Sequence, residues 1–117
     1  MKCTKIGLAI GIALGIFGTS VVASTCEINY TRTACPGKEE ISFQKCNGKA
    51  SCTESKEAAT PEQCQQLATN ACENKRLDIT KSKVITAKFG GKDIKNSAGD
   101  VDFCKAYPNR ASEFDKC

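Results

Sequence analysis

The sequence predicts a small α+β domain held together by four disulfides, in which one main helix (about 61–75) packs on an antiparallel hairpin (about 79–96). Three observations predict this fold class: a high density of cysteine, a capped amphipathic segment, and two β-rich runs separated by Gly90-Gly91. The chain has 117 residues and nine cysteines, but few large apolar side chains and no tryptophan. A domain of this size gains only marginal stability from burial, so covalent cross-links are expected to supply the rest.

Residues 1–23 are predicted to be a signal peptide. Lys2 and Lys5 precede an uncharged run of 18 residues, and the small residues at its end favour cleavage after Ala23. An uncleaved membrane anchor is the alternative, because the run reaches the lower length limit of a membrane span. Residues 24–117 are then expected to form a single exported domain, secreted or periplasmic, with no membrane span after cleavage.

The cysteines of the exported domain are predicted to be structural disulfides. Loss of the signal peptide removes Cys3 and leaves an even number, which permits complete pairing. The eight that remain are Cys26, Cys35, Cys46, Cys52, Cys64, Cys72, Cys104 and Cys117. Their spacing contains no CxxC, so neither a zinc-ribbon site nor a thioredoxin-like site is expected, and no metal or cofactor is predicted. A local bridge between Cys46 and Cys52 is feasible.

The main helix is predicted from its N-terminal signals and its periodicity. Thr60 is placed to cap the first turn, Pro61 needs no N–H partner there, and Gln63 completes a capping box. One face holds Cys64, Leu67, Ala68, Ala71 and Cys72. In a helix Cys64 and Cys72 lie about 12 Å apart, whereas a disulfide needs Cα atoms within about 7 Å. Each is therefore expected to bond a different part of the chain.

The remaining segments carry weaker patterns. Residues 26–35 alternate and are rich in β-branched residues, which predicts a strand. Residues 38–46 favour a short helix over a strand, and 53–59 are interpreted as a polar linker. Residues 101–117 are expected to form short turns fixed by Cys104 and Cys117.

The hairpin pattern also fixes a register. With Gly90-Gly91 as the loop, Phe89 lies opposite Lys92 and Lys88 lies opposite Asp93. The pattern extends to Ala87 opposite Ile94 and Thr86 opposite Lys95. The apolar face then holds Ile85, Ala87, Phe89 and Ile94. That face needs a cover, and the main helix is the natural candidate.

Charge and motifs narrow the possible functions. Lys2 and Lys5 are lost with the signal peptide, so 15 of the 17 basic residues remain against 13 acidic ones, a net charge of +2. This charge is too small to indicate a nucleic-acid partner. The chain lacks histidine, the commonest general base, and carries no phosphate-binding or dinucleotide-binding motif.

These features predict a non-enzymatic binding or interaction protein. The expected binding surface is the exposed side of the hairpin, where a protein, an anionic surface or a glycan would be recognised by Thr86, Lys88, Lys92 and Lys95. One alternative is a secreted inhibitor or toxin-like effector that inserts the Cys46–Cys52 loop into a partner. Others are a structural subunit of a surface assembly, and an enzyme whose two facing carboxylates share a concave pocket.

Overall fold

The computed structural model describes residues 24–117, so the predicted signal peptide lies outside the described residues. The helices and strands are β1 (Ser24–Ala34), α1 (Glu39–Ser42), β2 (Ser51–Ala58), α2 (Pro61–Asn70), β3 (Thr80–Phe89), β4 (Lys92–Ile94) and α3 (Arg110–Glu113). The strands form one antiparallel sheet in the order β2-β1-β3-β4. This is the small disulfide-rich α+β domain that the sequence predicts. None of the helices in residues 24–117 has the length and hydrophobicity of a membrane span.

Strand β1 is the centre of the sheet. It pairs with β2 on one side and with β3 on the other, as a long strand with alternating character can. Cys26 and Ile28 are fully buried on one face, which we call the inner face, while Glu27 and Asn29 lie on the opposite, outer face. The predicted strand at 26–35 is therefore confirmed, and it extends two residues further towards the N-terminus.

The predicted hairpin is confirmed in place and in register. Lys88 pairs with Asp93 and Ala87 with Ile94, across a loop in which Gly90 and Gly91 have φ of 59° and 83°. Both positive φ angles are what a two-residue turn of this kind requires. The expected pairing of Thr86 with Lys95 is absent, because β4 ends at Ile94. Beyond it, the buried Asn96 turns the chain into a loop in which Ala98 and Asp100 donate backbone N–H groups to its side chain.

Helix α2 begins as predicted and ends early. Thr60 Oγ1 accepts a hydrogen bond from the Gln63 backbone N–H at 3.1 Å, and Gln63 Oε1 accepts one from the Ala59 backbone N–H at 2.6 Å. The helix ends at Asn70, whereas about residue 75 was expected. The following residues leave the helical path because Asn74 turns inward, where its amide donates to the carbonyls of Thr80 and Glu113.

Residues 53–59 are not a linker: most of this segment lies in strand β2, Ser51–Ala58. The prediction was wrong because β2 is an edge strand with polar side chains on both faces, so it lacks the alternation that marks a half-buried strand. Ala58 is its one buried residue, and it belongs to the hydrophobic core.

The shorter segments match their predictions. Residues 38–46 contain α1 and a 3₁₀ turn at Gln44–Cys46, which ends in Asn47 with φ of 57°. The C-terminal region contains a 3₁₀ turn at Phe103–Ala106 and then α3. Phe103 and Phe114 from this region are buried and belong to the hydrophobic core.

All eight cysteines of residues 24–117 are paired. The four bonds are Cys26–Cys64, Cys35–Cys117, Cys46–Cys52 and Cys72–Cys104. As expected, Cys64 and Cys72 do not bond each other: one joins α2 to β1, and the other joins the turn after α2 to the C-terminal region. Four disulfides in so small a domain fit an extracellular or otherwise oxidising compartment.

Candidate functional site

A cavity of about 490 Å³ lies on the inner face of the sheet, beyond the end of α2. It forms because α2 is too short to cover the sheet: ten residues span about 15 Å, whereas the eleven residues of β1 span about 36 Å. At the uncovered end the inner-face residues of three strands meet Lys45 and the turn after α2. The lining residues are Tyr30, Arg32, Lys45, Cys52, Thr53, Glu54, Asn70, Ala71, Glu73 and Lys83.

Two cations face each other across strands in this cavity. Arg32 of β1 pairs directly with Lys83 of β3, and both point to the inner face. Arg32 is only 8% exposed, and Lys83 is partly buried. Like charges directly opposite each other destabilise a sheet. Contacts with neighbouring groups must therefore stabilise the side chains of Arg32 and Lys83.

Arg32 is held by an aromatic ring and a disulfide. Its guanidinium lies 5.1 Å from the centroid of the Tyr30 ring, and its Nη1 donates to Cys46 Sγ at 3.0 Å. Burial lowers the pKa of Arg32, but a guanidinium stays charged in proteins. Among residues 24–117, the one ion pair within 4.0 Å joins Lys56 to Glu54. No carboxylate of this region therefore forms an ion pair with Arg32.

Lys83 is held by main-chain carbonyl groups. Its Nζ donates to the carbonyl of Glu73, and to that of Ala71 at 3.4 Å, in the turn that follows α2. Burial, together with the nearby charges of Arg32 and Lys45, lowers the pKa of Lys83 to about 8. An anion close to Lys83 would favour its protonated form.

The opposite wall carries the carboxylate of Glu54. The Tyr30 hydroxyl donates to Glu54 Oε1 at 2.6 Å, and Lys56 Nζ lies 3.6 Å from Glu54 Oε2. Burial and the bond to Glu54 raise the pKa of Tyr30, so this hydroxyl stays protonated and keeps donating. Glu54 is thus occupied by neighbours, and it also keeps the Tyr30 ring beside Arg32.

The predicted hairpin residues occupy a different surface. Thr86 and Lys88 lie on the outer face, where a smaller cavity of about 290 Å³ also includes Asp93. Lys88 lies between two carboxylates in the sheet, Glu27 on β1 and Asp93 on β4. Those two carboxylates oppose the binding of an anion at Lys88.

The other two hairpin lysines do not join that surface. Lys92 is paired with Phe89, whose side chain faces the core, so Lys92 projects on the inner side of the sheet. Lys95 follows β4, and its carbonyl accepts from Gln65 Nε2 at 2.6 Å. The structure therefore brings Thr86 and Lys88 together, but not the whole predicted set; the role of these residues in binding stays a prediction.

The Cys46–Cys52 loop is exposed throughout residues 47–51. The sequence predicts it as a possible contact loop, and its accessibility is compatible with that role. Its disulfide lies at the edge of the cavity, since Cys52 is a lining residue.

The pairing of Arg32 with Lys83 was not predicted from the sequence. The signal was present in the alternation of two strands: Arg32 has the same parity as the inward Ile28, and Lys83 the same parity as Ile85. A cation at an inward position of a strand marks either a buried charge or an uncovered part of the face. Only the pairing of β1 with β3 shows that the two cations meet.

No protein-family model matches the sequence, and no curated protein or solved structure is significantly similar to it. Within residues 24–117, no group of three or more histidine, cysteine or acidic residues could hold a metal ion. The cavity combines three cations with two carboxylates, Glu54 and Glu73, one of which is occupied by its neighbours. This arrangement favours a negatively charged ligand.

Proposed function

We propose that the protein is an exported, disulfide-stabilised binding protein without catalytic activity, and that the cavity binds an anionic group of its ligand. The single observation that carries this proposal is the direct cross-strand pairing of Arg32 with Lys83 at the cavity surface. Two like charges held together and partly removed from water raise the free energy of the empty site. An anion placed between them would lower that free energy and gain charge-assisted hydrogen bonds.

The chemistry of the ligand follows from the donors. The planar guanidinium of Arg32 suits a carboxylate, sulfate or phosphate group, and Lys83 and Lys45 add positive charge without a fixed geometry. The anion would belong to a partner protein or to an acidic glycan. The N-terminal segment and the disulfides support the secretory route, which places the ligand outside the cytoplasm, in the periplasm or the extracellular space.

A titration with sulfated and unsulfated forms of the same oligosaccharide, together with inorganic sulfate, tests the proposal. We expect the sulfated form to bind residues 24–117 more tightly, and the substitutions Arg32→Gln and Lys83→Gln each to weaken that binding about tenfold or more. The removal of one charge-assisted bond, worth about 1.5–3 kcal/mol, corresponds to that factor. Lys88→Gln is the matched control on the outer face, and it should change affinity less than twofold.

Circular dichroism and urea unfolding establish that each variant is folded before its affinity is interpreted. Equal binding by wild type, Arg32→Gln and Lys83→Gln would remove the proposed site. A large loss in Lys88→Gln alone would instead assign binding to the outer face of the hairpin, with Thr86 as the next position to vary.

A second candidate function is hydrolysis by a pair of carboxylates. Glu54 and Glu73 line the same cavity, which meets the first requirement of such an enzyme. One observation opposes this function: Glu54 accepts a hydrogen bond from the Tyr30 hydroxyl and forms an ion pair with Lys56, so both of its oxygens are already engaged. Release of reducing sugar from an acidic oligosaccharide, lost in both Glu54→Gln and Glu73→Gln, would establish this function. The absence of release by wild-type protein would exclude glycan hydrolysis.

A further inference from the structure

The Cys46–Cys52 disulfide differs from the other three in its surroundings. Cys52 is a partly exposed residue that lines the cationic cavity, and Cys46 is buried behind it. Arg32 Nη1 donates to Cys46 Sγ at 3.0 Å. One sulfur can thus be approached from the cavity, while the other has a positive charge in contact with it.

We propose that Cys46–Cys52 is an exchangeable disulfide: it opens before the other three in the presence of a dithiol, and Arg32 promotes this reaction. Its coupling to an anion in the cavity rests on the proposed function; the exchange reaction itself does not.

The other disulfides lack this combination. Both cysteines of Cys26–Cys64 and of Cys72–Cys104 are fully buried, with 0% exposure, so a thiol has no access to them in the folded protein. Cys35–Cys117 has one exposed member, but Cys35 Sγ contacts the Leu77 carbonyl at 3.7 Å, which carries no positive charge. This bond is an internal control for an accessible disulfide in which, among residues 24–117, no cationic side chain is hydrogen-bonded to a sulfur.

The exchange proceeds in two steps. A thiolate of the dithiol attacks Cys52 Sγ from the cavity; the S–S bond breaks, a mixed disulfide forms, and Cys46 leaves as a thiolate beside Arg32. The second thiol of the reductant, as its thiolate, then attacks the reductant sulfur that is bonded to Cys52. Cys52 leaves as a thiolate and takes up a proton. Two electrons pass from the dithiol, which becomes a disulfide, to the protein.

Arg32 acts through the leaving group. A cation in contact with a sulfur stabilises its thiolate, which lowers the pKa of the thiol. A thiol of lower pKa leaves faster in exchange. Arg32 is therefore a positioning residue for Cys46 and does not react. An anion bound between Arg32 and Lys83 would neutralise this charge and obstruct the approach to Cys52, so occupancy of the cavity should slow reduction.

Limited reduction of folded protein with dithiothreitol at pH 7 tests the inference. Free thiols are alkylated at timed intervals and located by mass spectrometry of peptides. We expect Cys46 and Cys52 to be alkylated first, ahead of Cys35 and Cys117. We expect Arg32→Gln to slow the opening of Cys46–Cys52 about threefold or more, because loss of the adjacent cation raises the pKa of the leaving thiol.

Two features separate this role from a purely structural one. If Arg32 only closed the cavity, Arg32→Gln would expose Cys52 and accelerate its reduction, which is the opposite sign. The rate for Cys35–Cys117 should be the same in wild type and variant, and Lys88→Gln should leave both rates unchanged. Earlier opening of Cys35–Cys117, or an unchanged or faster rate for Cys46–Cys52 in Arg32→Gln, would overturn the proposal.

A parallel series with saturating sodium sulfate, against sodium chloride at equal ionic strength, tests the coupling. Sulfate should slow reduction in wild type and have no effect in Arg32→Gln. If sulfate has no effect on wild type while Arg32→Gln still slows reduction, the coupling to the proposed anion site is overturned and the exchangeable disulfide stands.

Discussion

The sizes of the disulfide loops predict a graded loss of stability when single bonds are removed. Cys35–Cys117 closes a loop with a sequence separation of 82, whereas Cys46–Cys52 closes one of 6. In the chain-entropy model, with each bond taken as the only cross-link, these loops contribute about 4.5 and about 2.2 kcal/mol to the free energy of unfolding. Because Cys26–Cys64 and Cys72–Cys104 shorten the longer loop in the unfolded chain, the difference of about 2.3 kcal/mol is an upper value. The difference arises in the unfolded state, where the longer loop restricts far more of the chain.

The assay is urea unfolding at pH 7 without reductant, on two double variants. One carries Cys35→Ala with Cys117→Ala, and the other carries Cys46→Ala with Cys52→Ala. The comparison is matched, because each pair contains one buried cysteine, 3% exposed for Cys35 and 2% for Cys46. We expect the first variant to lose more stability than the second, by up to about 2.3 kcal/mol. Equal losses, or a greater loss for the shorter loop, would refute the loop-entropy reasoning for this domain.

Three further predictions concern single positions. Burial lowers the pKa of Lys83 to about 8, so between pH 8 and the ordinary lysine pKa of about 10.4 the unfolded chain binds more protons and stability rises with pH. In Lys83→Met this rise should be smaller by about 1 kcal/mol after allowance for solvent screening, as measured by urea unfolding at pH 7 and pH 10. An equal rise in wild type and variant would contradict this prediction. Thr60→Ala removes the cap of α2 and should cost about 1 kcal/mol of unfolding free energy, with Thr60→Ser close to wild type; a loss as large in the serine variant would exclude the hydroxyl as the cause. Phe103→Ala, at 0% exposure, should cost about 3–5 kcal/mol, whereas Val101→Ala, at 53% exposure, should stay within about 0.5 kcal/mol by thermal or urea unfolding; similar losses at the two positions would contradict the assigned core.

The helix cap and the hairpin turn were predicted correctly because each depends on residues close together in the sequence. The Thr60 cap involves the backbone N–H of Gln63, three residues away, and the Gly90-Gly91 turn sets the pairing of the residues beside it. The register of the hairpin follows from the turn, because a two-residue loop leaves one way to pair the flanking strands. These elements are therefore visible in a single sequence.

The candidate site was only partly predictable. The sequence placed the cations of interest on the hairpin, at Lys88 and its neighbours, because a lysine-rich β-run is a visible pattern. The structure places Lys88 between two carboxylates and brings Arg32 and Lys83 together instead. That meeting depends on which strands pair and in which register, and these are contacts between residues about fifty positions apart.

The sequence by itself determined that sulfur would hold this domain together, and it determined the capped helix and the glycine hairpin. Composition sets the size of the core, and short-range hydrogen bonds set caps and turns. Only the tertiary structure decided that β2 pairs with β1, which cysteines bond, and where the sheet is left uncovered. The reason is physical: strand pairing and disulfide pairing are selected by how all elements pack at once, since an edge strand such as β2 has polar side chains compatible with several partners.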